Sequence, residues 1–201
     1  MKTELILLAA GQSKRFGGIK QLADIHGKPM VCHCLSQYRQ GKKWIEGIVD
    51  GHVALGANAS LIIDVLPQGI NKHVVNSWQN GMGYTLAQSM RFLAIDSTHV
   101  LIALADQTSI TQQMIKGILG ESRIHPQNII AAKYAGRLGA PAIFPRQYFS
   151  QLSQLTADKG ARVILQQHPQ QVISMEMSEA ALDIDTQDDL KNAKIKLRNL
   201  G

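Results

Sequence analysis

Cysteine, aromatic residues and long uniform runs are what this chain has least of. Two cysteines, Cys32 and Cys34, stand among 201 residues, too few for a disulfide framework. On a helix, residues two apart point to opposite sides, so these two can neither bridge nor chelate one metal. They read as buried or half-buried thiols of a reducing compartment. No stretch approaches the roughly 18 consecutive apolar residues of a membrane span. The run Leu5-Ile6-Leu7-Leu8-Ala9-Ala10 is shorter than the apolar region of a signal peptide and enters a basic glycine loop directly. A cytoplasmic protein with no membrane partner is expected. Aromatic residues make up 5% of the chain, and nowhere do they interleave with a basic run. The formal net charge of +6 suits an anionic partner. The basic cluster Lys191-Asn192-Ala193-Lys194-Ile195-Lys196-Leu197-Arg198 fits the solvated face of a helix better than a nucleic-acid surface, so no nucleic-acid partner is expected.

Two phosphate motifs are also missing. A P-loop would need a glycine five positions after Gly11 and then Lys and Ser/Thr, but Phe16 stands there. A dinucleotide fingerprint fails at Gln12-Ser13, and at Gly81-Met82-Gly83 the third glycine is replaced by Leu86. In their place, the apolar run ends at Gly11, and Lys14, Arg15 and Lys20 then fall within a span of seven residues. The run reads as a buried strand, and the glycines permit positive φ near a ligand. Backbone N–H groups and cations gathered on a turn after a strand make an anion site. The plain alternative is a strand-to-helix turn with a solvated charge cluster.

Hydrophobic residues at 45% and charged residues at 18% mark a globular chain, and without repeats or linkers residues 1–201 read as a single domain. Strands are predicted at Thr3–Ala9, Glu46–Asp50, His73–Asn76, His99–Leu104, Ile129–Lys133 and Val172–Met177. Helices are predicted from Pro29 (Met30, Val31, Cys34, Leu35 and Tyr38 inward), over about Ala57–Leu66, from Met82 (with Leu86, Met90 and Leu93), after Thr111 (Met114, Ile115, Ile118, Leu119), and after the capping box Thr186-Gln187-Asp188-Asp189. Alternating strands and helices predict an α/β fold with a mainly parallel sheet. In such sheets ligands sit at the carboxyl ends of the strands. Asp106 directly follows Val100-Leu101-Ile102-Ala103-Leu104-Ala105, too early to cap the next helix, which Ser109 or Thr111 can serve. It is therefore assigned to a divalent cation. Asp183 and Asp185 share a side if extended, and with Thr186 able to cap, Asp185 is left free for a hard cation alongside Asp106, the alternative being that one of the pair is structural.

Taken in order, these segments resemble the MobA-like NTP-transferase family of molybdenum cofactor nucleotidyltransferases, and within it the molybdopterin cytidylyltransferases. The matching pieces are Leu8-Ala9-Ala10-Gly11-x-Ser13-x-Arg15-Phe16-Gly17, Lys20-Gln21-Leu22, Gly27-Lys28-Pro29-Met30, Asn80-Gly81-Met82-Gly83, Leu104-Ala105-Asp106-Gln107, Gly136 to Phe144, Asp158-Lys159-Gly160-Ala161-Arg162 and Asp183 to Leu190. The resemblance implies a Rossmann-like three-layer sandwich of the nucleotide-diphospho-sugar transferase type. It also implies magnesium-dependent transfer of CMP from CTP to molybdopterin with release of pyrophosphate, and a recipient molybdoenzyme as partner. Carried over residue by residue, Ala9, Ala10, Gly11, Ser13, Arg15, Lys20, Gly81 and Asp106 bind the nucleotide. Arg15, Lys20 and Asp106 carry catalysis, and Asp106 and Asp185 hold Mg2+. The chain departs from many relatives at Ala140, where they have His, at Ala105 and Thr108 around Asp106-Gln107, and at Gly83-Tyr84. Ala10, where guanylyl-transferring relatives have Gly, points to CTP over GTP. The chemistry agrees with the residues, since phosphoryl transfer asks mainly for positioning and neutralised charge. Three rivals stand beside this reading: a nucleotidyltransferase for a sugar or polyol phosphate, a silent nucleotide or cofactor binder, and a basic nucleic-acid binder.

Overall fold

A computed structural model describes residues 1–198. Its centre is a seven-stranded sheet made of β1 (Thr3–Ala9), β2 (Ile48–Leu55), β3 (Asn71–Val74), β4 (His99–Leu104), β5 (Ile129–Tyr134), β6 (Arg137–Pro145) and β7 (Val172–Glu176). The strand order is β7-β5-β6-β4-β1-β2-β3. All neighbours pair parallel except β6, which runs antiparallel to both β4 and β5. Every residue of β1 is buried, as expected of a central strand flanked on both sides, and this is why it reads as one apolar run.

Alternation along β1 divides the core in two. Leu5, Leu7 and Ala9 join residues of α1 (Met30–Ser36), α2 (Ala59–Val65) and α4 (Gln112–Ile124) on one face. Ile6 and Leu8 join α3 (Met82–Ser89), α5 (Phe149–Ser153) and α6 (Arg162–Gln167) on the other. The result is a three-layer α/β sandwich of Rossmann-like type. Leu5, Ile6 and Leu7 are fully buried, worth about 1.5–3 kcal/mol each. A third cluster packs Phe16, Ile25, Met30, Cys34 and Ile184 against Ala193 of α7 (Gln187–Arg198).

Several boundaries differ from those predicted. The strand placed at Glu46–Asp50 lies at Ile48–Leu55. Its polar middle is buried because His52 Nε2 is hydrogen-bonded to the buried Glu4 of β1 at 2.8 Å, and its Nδ1 lies 2.9 Å from His73 Nε2 on β3. Glu4 also accepts from the Ala94 amide at 3.0 Å and from the Ser97 hydroxyl. A cross-strand network leaves no apolar pattern to read. Pro29 is the extended residue before α1 rather than its first residue. Met82, expected on the inner stripe of α3, is 48% exposed, while Leu86 and Met90 are buried. Thr111 caps α4 by accepting from the Met114 amide at 3.4 Å. The capping box of α7 forms with Asp189 Oδ2 accepting from the Thr186 amide at 2.8 Å, and the Asp189 amide donating to Thr186 Oγ1 at 3.2 Å.

Candidate active site

The carboxyl ends of β1 and β4 open on a cavity of about 440 Å³. Ala9, Ala10, Gly11, Arg15, Lys20, Gly81, Asp106 and Asp185 all line it. Ser13, expected at the nucleotide, is not among the residues lining this cavity and donates its hydroxyl to Gln21 Oε1 at 3.2 Å. Gln21 is 3% exposed and donates its amide to Gly11 O at 2.8 Å and Ala9 O at 3.2 Å, so it holds the loop from beneath. Ser13 and Gly17 take up the positive φ of the turn, at 60° and 73°, while Gly11 faces open space. Phe16, 5% exposed in the third cluster, anchors the loop, and Gln187 Nε2 of α7 donates to its carbonyl at 3.1 Å. Arg15 is left with a side chain 74% exposed at the mouth.

Facing this loop are three carboxylates, Asp106, Asp183 and Asp185. Lys20 Nζ donates to Asp106 Oδ2 at 2.7 Å, Ile184 O at 3.0 Å and Asp185 Oδ1 at 3.1 Å, and Arg15 donates to Asp185 Oδ2 at 2.7 Å. Burial works against the Lys20 ammonium, but the charge and hydrogen bond of Asp106, and then those of Asp185, outweigh it and raise its pKa. Asp183 is pushed up to about 6 by burial first and by Asp106 and Asp185 next. A divalent cation fits this donor set. Asp106 Oδ1 is buried without a hydrogen-bond partner. One positive atom already lies within 3.1 Å of both Asp106 and Asp185. Among the described residues no group of three or more His, Cys, Asp or Glu is arranged to hold a metal. Magnesium characteristically completes its shell with waters and substrate phosphates around one or two carboxylates.

The far wall brings together Gly81, expected at the nucleotide, and Asp158, which carried no assigned role in the sequence. Gly81 (φ 104°) and Gly83 start α3 under the segment 156–160. A Cβ on Gly81 would meet Ala157 and would lie 2.6 Å from Asp158 Oδ1; one on Gly83 would meet Lys159 O and lie 2.8 Å from Thr156 O. The Gly83 amide donates to Ala157 O at 2.8 Å. Both glycines therefore seat a loop that carries Asp158 into the cavity. Trp78 and Gln79 line the same side, and Trp78 Cβ would lie 2.6 Å from a Cβ on Gly56. A second cavity of about 330 Å³ shares Leu8, Met82, Leu104, Asp158 and Asp183 with the first. It adds Tyr134, Arg137 and Arg162 and an apolar floor that includes Ile102 and Ala142. Tyr134 lies over Gly139, where a Cβ would come within 2.9 Å of Tyr134 Cζ. Gln107, 3% exposed, donates to Ala140 O at 3.1 Å and Ala180 O at 2.9 Å, joining the Asp106 loop to β6 and to the segment leading to Asp183.

An α/β sandwich with an anion loop facing paired carboxylates at its strand ends defines a nucleotide-handling transferase. Residues 5–172 match the model of the MobA-like NTP transferase domain, and the chain belongs to that family. It is a nucleotidyltransferase by class. Nicotine blue oxidoreductase of Paenarthrobacter nicotinovorans is 30% identical over 199 residues, covering 90% of this chain and 91% of that protein. Among solved structures, the homologue of Rv0371c from Mycobacterium sp. strain JC1 has a TM-score of 0.84 at 23% identity, over 99% of this chain and 98% of that one. Rv0371c of Mycobacterium tuberculosis H37Rv in complex with manganese has 0.79 at 22% identity, over 96% and 97%. CMP:2-keto-3-deoxy-manno-octonic acid synthetase complexed with CTP has 0.77 at 15% identity, over 100% of both chains. These structures share the fold.

Proposed function

We propose that this protein transfers CMP from CTP to the phosphate of a molybdopterin-type acceptor and releases pyrophosphate. The observation that carries the reading is the meeting of Lys20 with Asp106 and Asp185 at the strand ends, opposite the loop of Ala9, Ala10, Gly11 and Arg15. The backbone of that loop and the two cations receive the triphosphate. An oxygen of the acceptor phosphate forms a bond to the α-phosphorus, the bond from that phosphorus to the bridging oxygen breaks, and pyrophosphate leaves with the electron pair. The chain's work in this step is to align the two phosphates and to set Arg15 and Lys20 against the leaving oxygens. Magnesium, held by Asp106 and Asp185, would supply further neutralisation of phosphate charge. The manganese complex of Rv0371c supports a divalent ion in this role. Ala10 and the CTP complex of the synthetase neighbour support cytidine.

The second cavity opens into the first and combines an apolar floor with Arg137 and Arg162, which suits an organic acceptor with an anionic group. Ala140 leaves a methyl group where a histidine side chain would narrow that end. The test is pyrophosphate release with magnesium, molybdopterin and CTP, GTP, ATP or UTP in turn. Release with CTP alone is expected; CTP binding without release would overturn the reading. The name of the Paenarthrobacter relative favours a second reading, oxidoreductase chemistry on nicotine blue in the same cleft. A change in the absorbance of nicotine blue that needs this protein and an added two-electron donor or acceptor, with no pyrophosphate formed from any NTP, would establish it instead.

A further inference from the structure

We propose that Lys20 is the place-holder of the divalent-cation position: its ammonium occupies that position in the ligand-free protein and leaves it when nucleotide phosphates arrive to receive it. This inference rests on the nucleotidyltransferase reading for the identity of the incoming ligands.

An ammonium has three hydrogens to give, and Lys20 Nζ has three acceptors, Asp106 Oδ2, Ile184 O and Asp185 Oδ1, all within 3.1 Å. Its side chain is 13% exposed, so this is a seated contact rather than a surface pair. Arg15 takes the other oxygen of Asp185. Of the four oxygens on the two carboxylates, the one left without a partner is Asp106 Oδ1. A divalent ion drawn to that oxygen meets an ammonium already neutralising the pair, and the two cations repel each other at contact distance. Metal alone must therefore displace Lys20 with nothing to compensate the displaced charge. The Lys20 stem rises from the helical turn Lys20–Leu22 beside the loop of Ala10 and Gly11, and both line one cavity. Four methylenes let the ammonium swing from the carboxylates to that loop without moving backbone. A triphosphate on the loop supplies new acceptors for Lys20 and Arg15, and the carboxylates are then released to the metal. Metal and nucleotide consequently bind with positive coupling, each tightening the other by the same factor.

The experiment titrates Mn2+ into the full chain by electron paramagnetic resonance of the free ion, with and without α,β-methylene-CTP, for the native protein and Lys20→Met. In the native protein the analogue should tighten Mn2+ binding by about tenfold or more. Lys20→Met should bind Mn2+ alone at least about tenfold more tightly than the native protein, and its coupling to the analogue should shrink. Equal Mn2+ affinity in Lys20→Met and the native protein would overturn the proposal. So would native Mn2+ affinity indifferent to an analogue that calorimetry shows to be bound. If calorimetry shows no analogue binding, the nucleotide reading fails, and the Mn2+ comparison between the two proteins still decides the place-holder. If Lys20→Met does not fold, Lys20→Gln, which keeps a hydrogen-bond donor and removes the charge, takes its place in the Mn2+ comparison. Arg15→Met, which frees an oxygen of Asp185 but leaves Lys20 seated, serves as the control and should gain much less affinity.

Discussion

Asp106 has two partners in prospect, a metal ion and Lys20, and its substitutions separate the two. Asp106→Asn preserves the shape and removes the charge, so turnover should fall by about 100-fold or more, the scale of losing one electrostatic stabiliser in a desolvated site. Asp106→Ala goes further, because Lys20 Nζ would lose its 2.7 Å partner and keep Asp185 and Ile184 O. Asp106→Ala should therefore melt lower than Asp106→Asn, by about 1–3 kcal/mol of stability. Pyrophosphate assays and thermal melts of both variants check this, and turnover within twofold of native in either would remove Asp106 from the reaction. Asp106 was legible because a charged residue directly after an apolar strand has few structural uses, and Arg15 and Lys20 because cations gathered on a glycine turn after a strand mark an anion site. Gln21 and Asp158 were not. Gln21 acts through the carbonyls of Ala9 and Gly11, and Asp158 reaches the cavity by packing on Gly81, relations that spacing along the chain does not encode.

At the scale of elements, the pair Gly81 and Gly83 ties one wall of the cavity to a distant loop. The resemblance puts Gly81 at the nucleotide; in the structure Gly81 lines the cavity, and the missing side chains of both glycines make room for residues 156–160. Gly81→Ala adds both a clash and strain at φ 104°, and should cost about 1–3 kcal/mol, a drop of several degrees in Tm. Gly83→Ala should lose a similar amount through its clash with the same loop, and both should weaken CTP binding by displacing Asp158. Melting curves and calorimetry on the two variants measure this, and unchanged Tm in both would show that the loop yields freely. The strands β1 and β4 were read correctly because their burial on both faces gives unbroken apolar runs. β6 was missed as a strand for a physical reason. Its first half, Arg137-Leu138-Gly139-Ala140, is small and polar where Tyr134 covers Gly139, and its register with β5 slips between Gly139 and Ala142. The short helices α5 and α6 were missed because five or six residues cannot display helical periodicity.

For the whole molecule, a mainly parallel α/β sheet followed from alternating strand and helix patterns and its three layers from the family resemblance, but strand order followed from neither pattern nor spacing, since nothing local tells β6 to run between β4 and β5. What binds the layers and the sheet also sets how the fold responds to acid. His33 of α1 is hydrogen-bonded to Thr108 O in the loop after Asp106, His99 of β4 to Pro126 O, and His73 of β3 to His52. Burial, the largest cause in each case, lowers all three pKa values below the ordinary 6.5. The unfolded chain then binds these protons first. Stability is fully present above pH 6.5 and is lost as the pH falls from there through the folded values. Asp183 acts in the opposite direction. With its folded pKa pushed up to about 6 from 3.8, the folded state takes up that proton first and gains stability as the pH falls through 6. Between pH 6.5 and 5 the three histidines pull the melting temperature of the metal-free protein down while Asp183 pulls it up, and the native decline is expected where the histidines outweigh Asp183. His99→Gln, which removes one of the three, should flatten the decline, and Asp183→Asn, which removes the opposing group, should steepen it. Thermal melts of the three proteins at pH 8, 7, 6 and 5 measure these slopes. An Asp183→Asn profile no steeper than the native one would show that these buried groups do not govern the acid response.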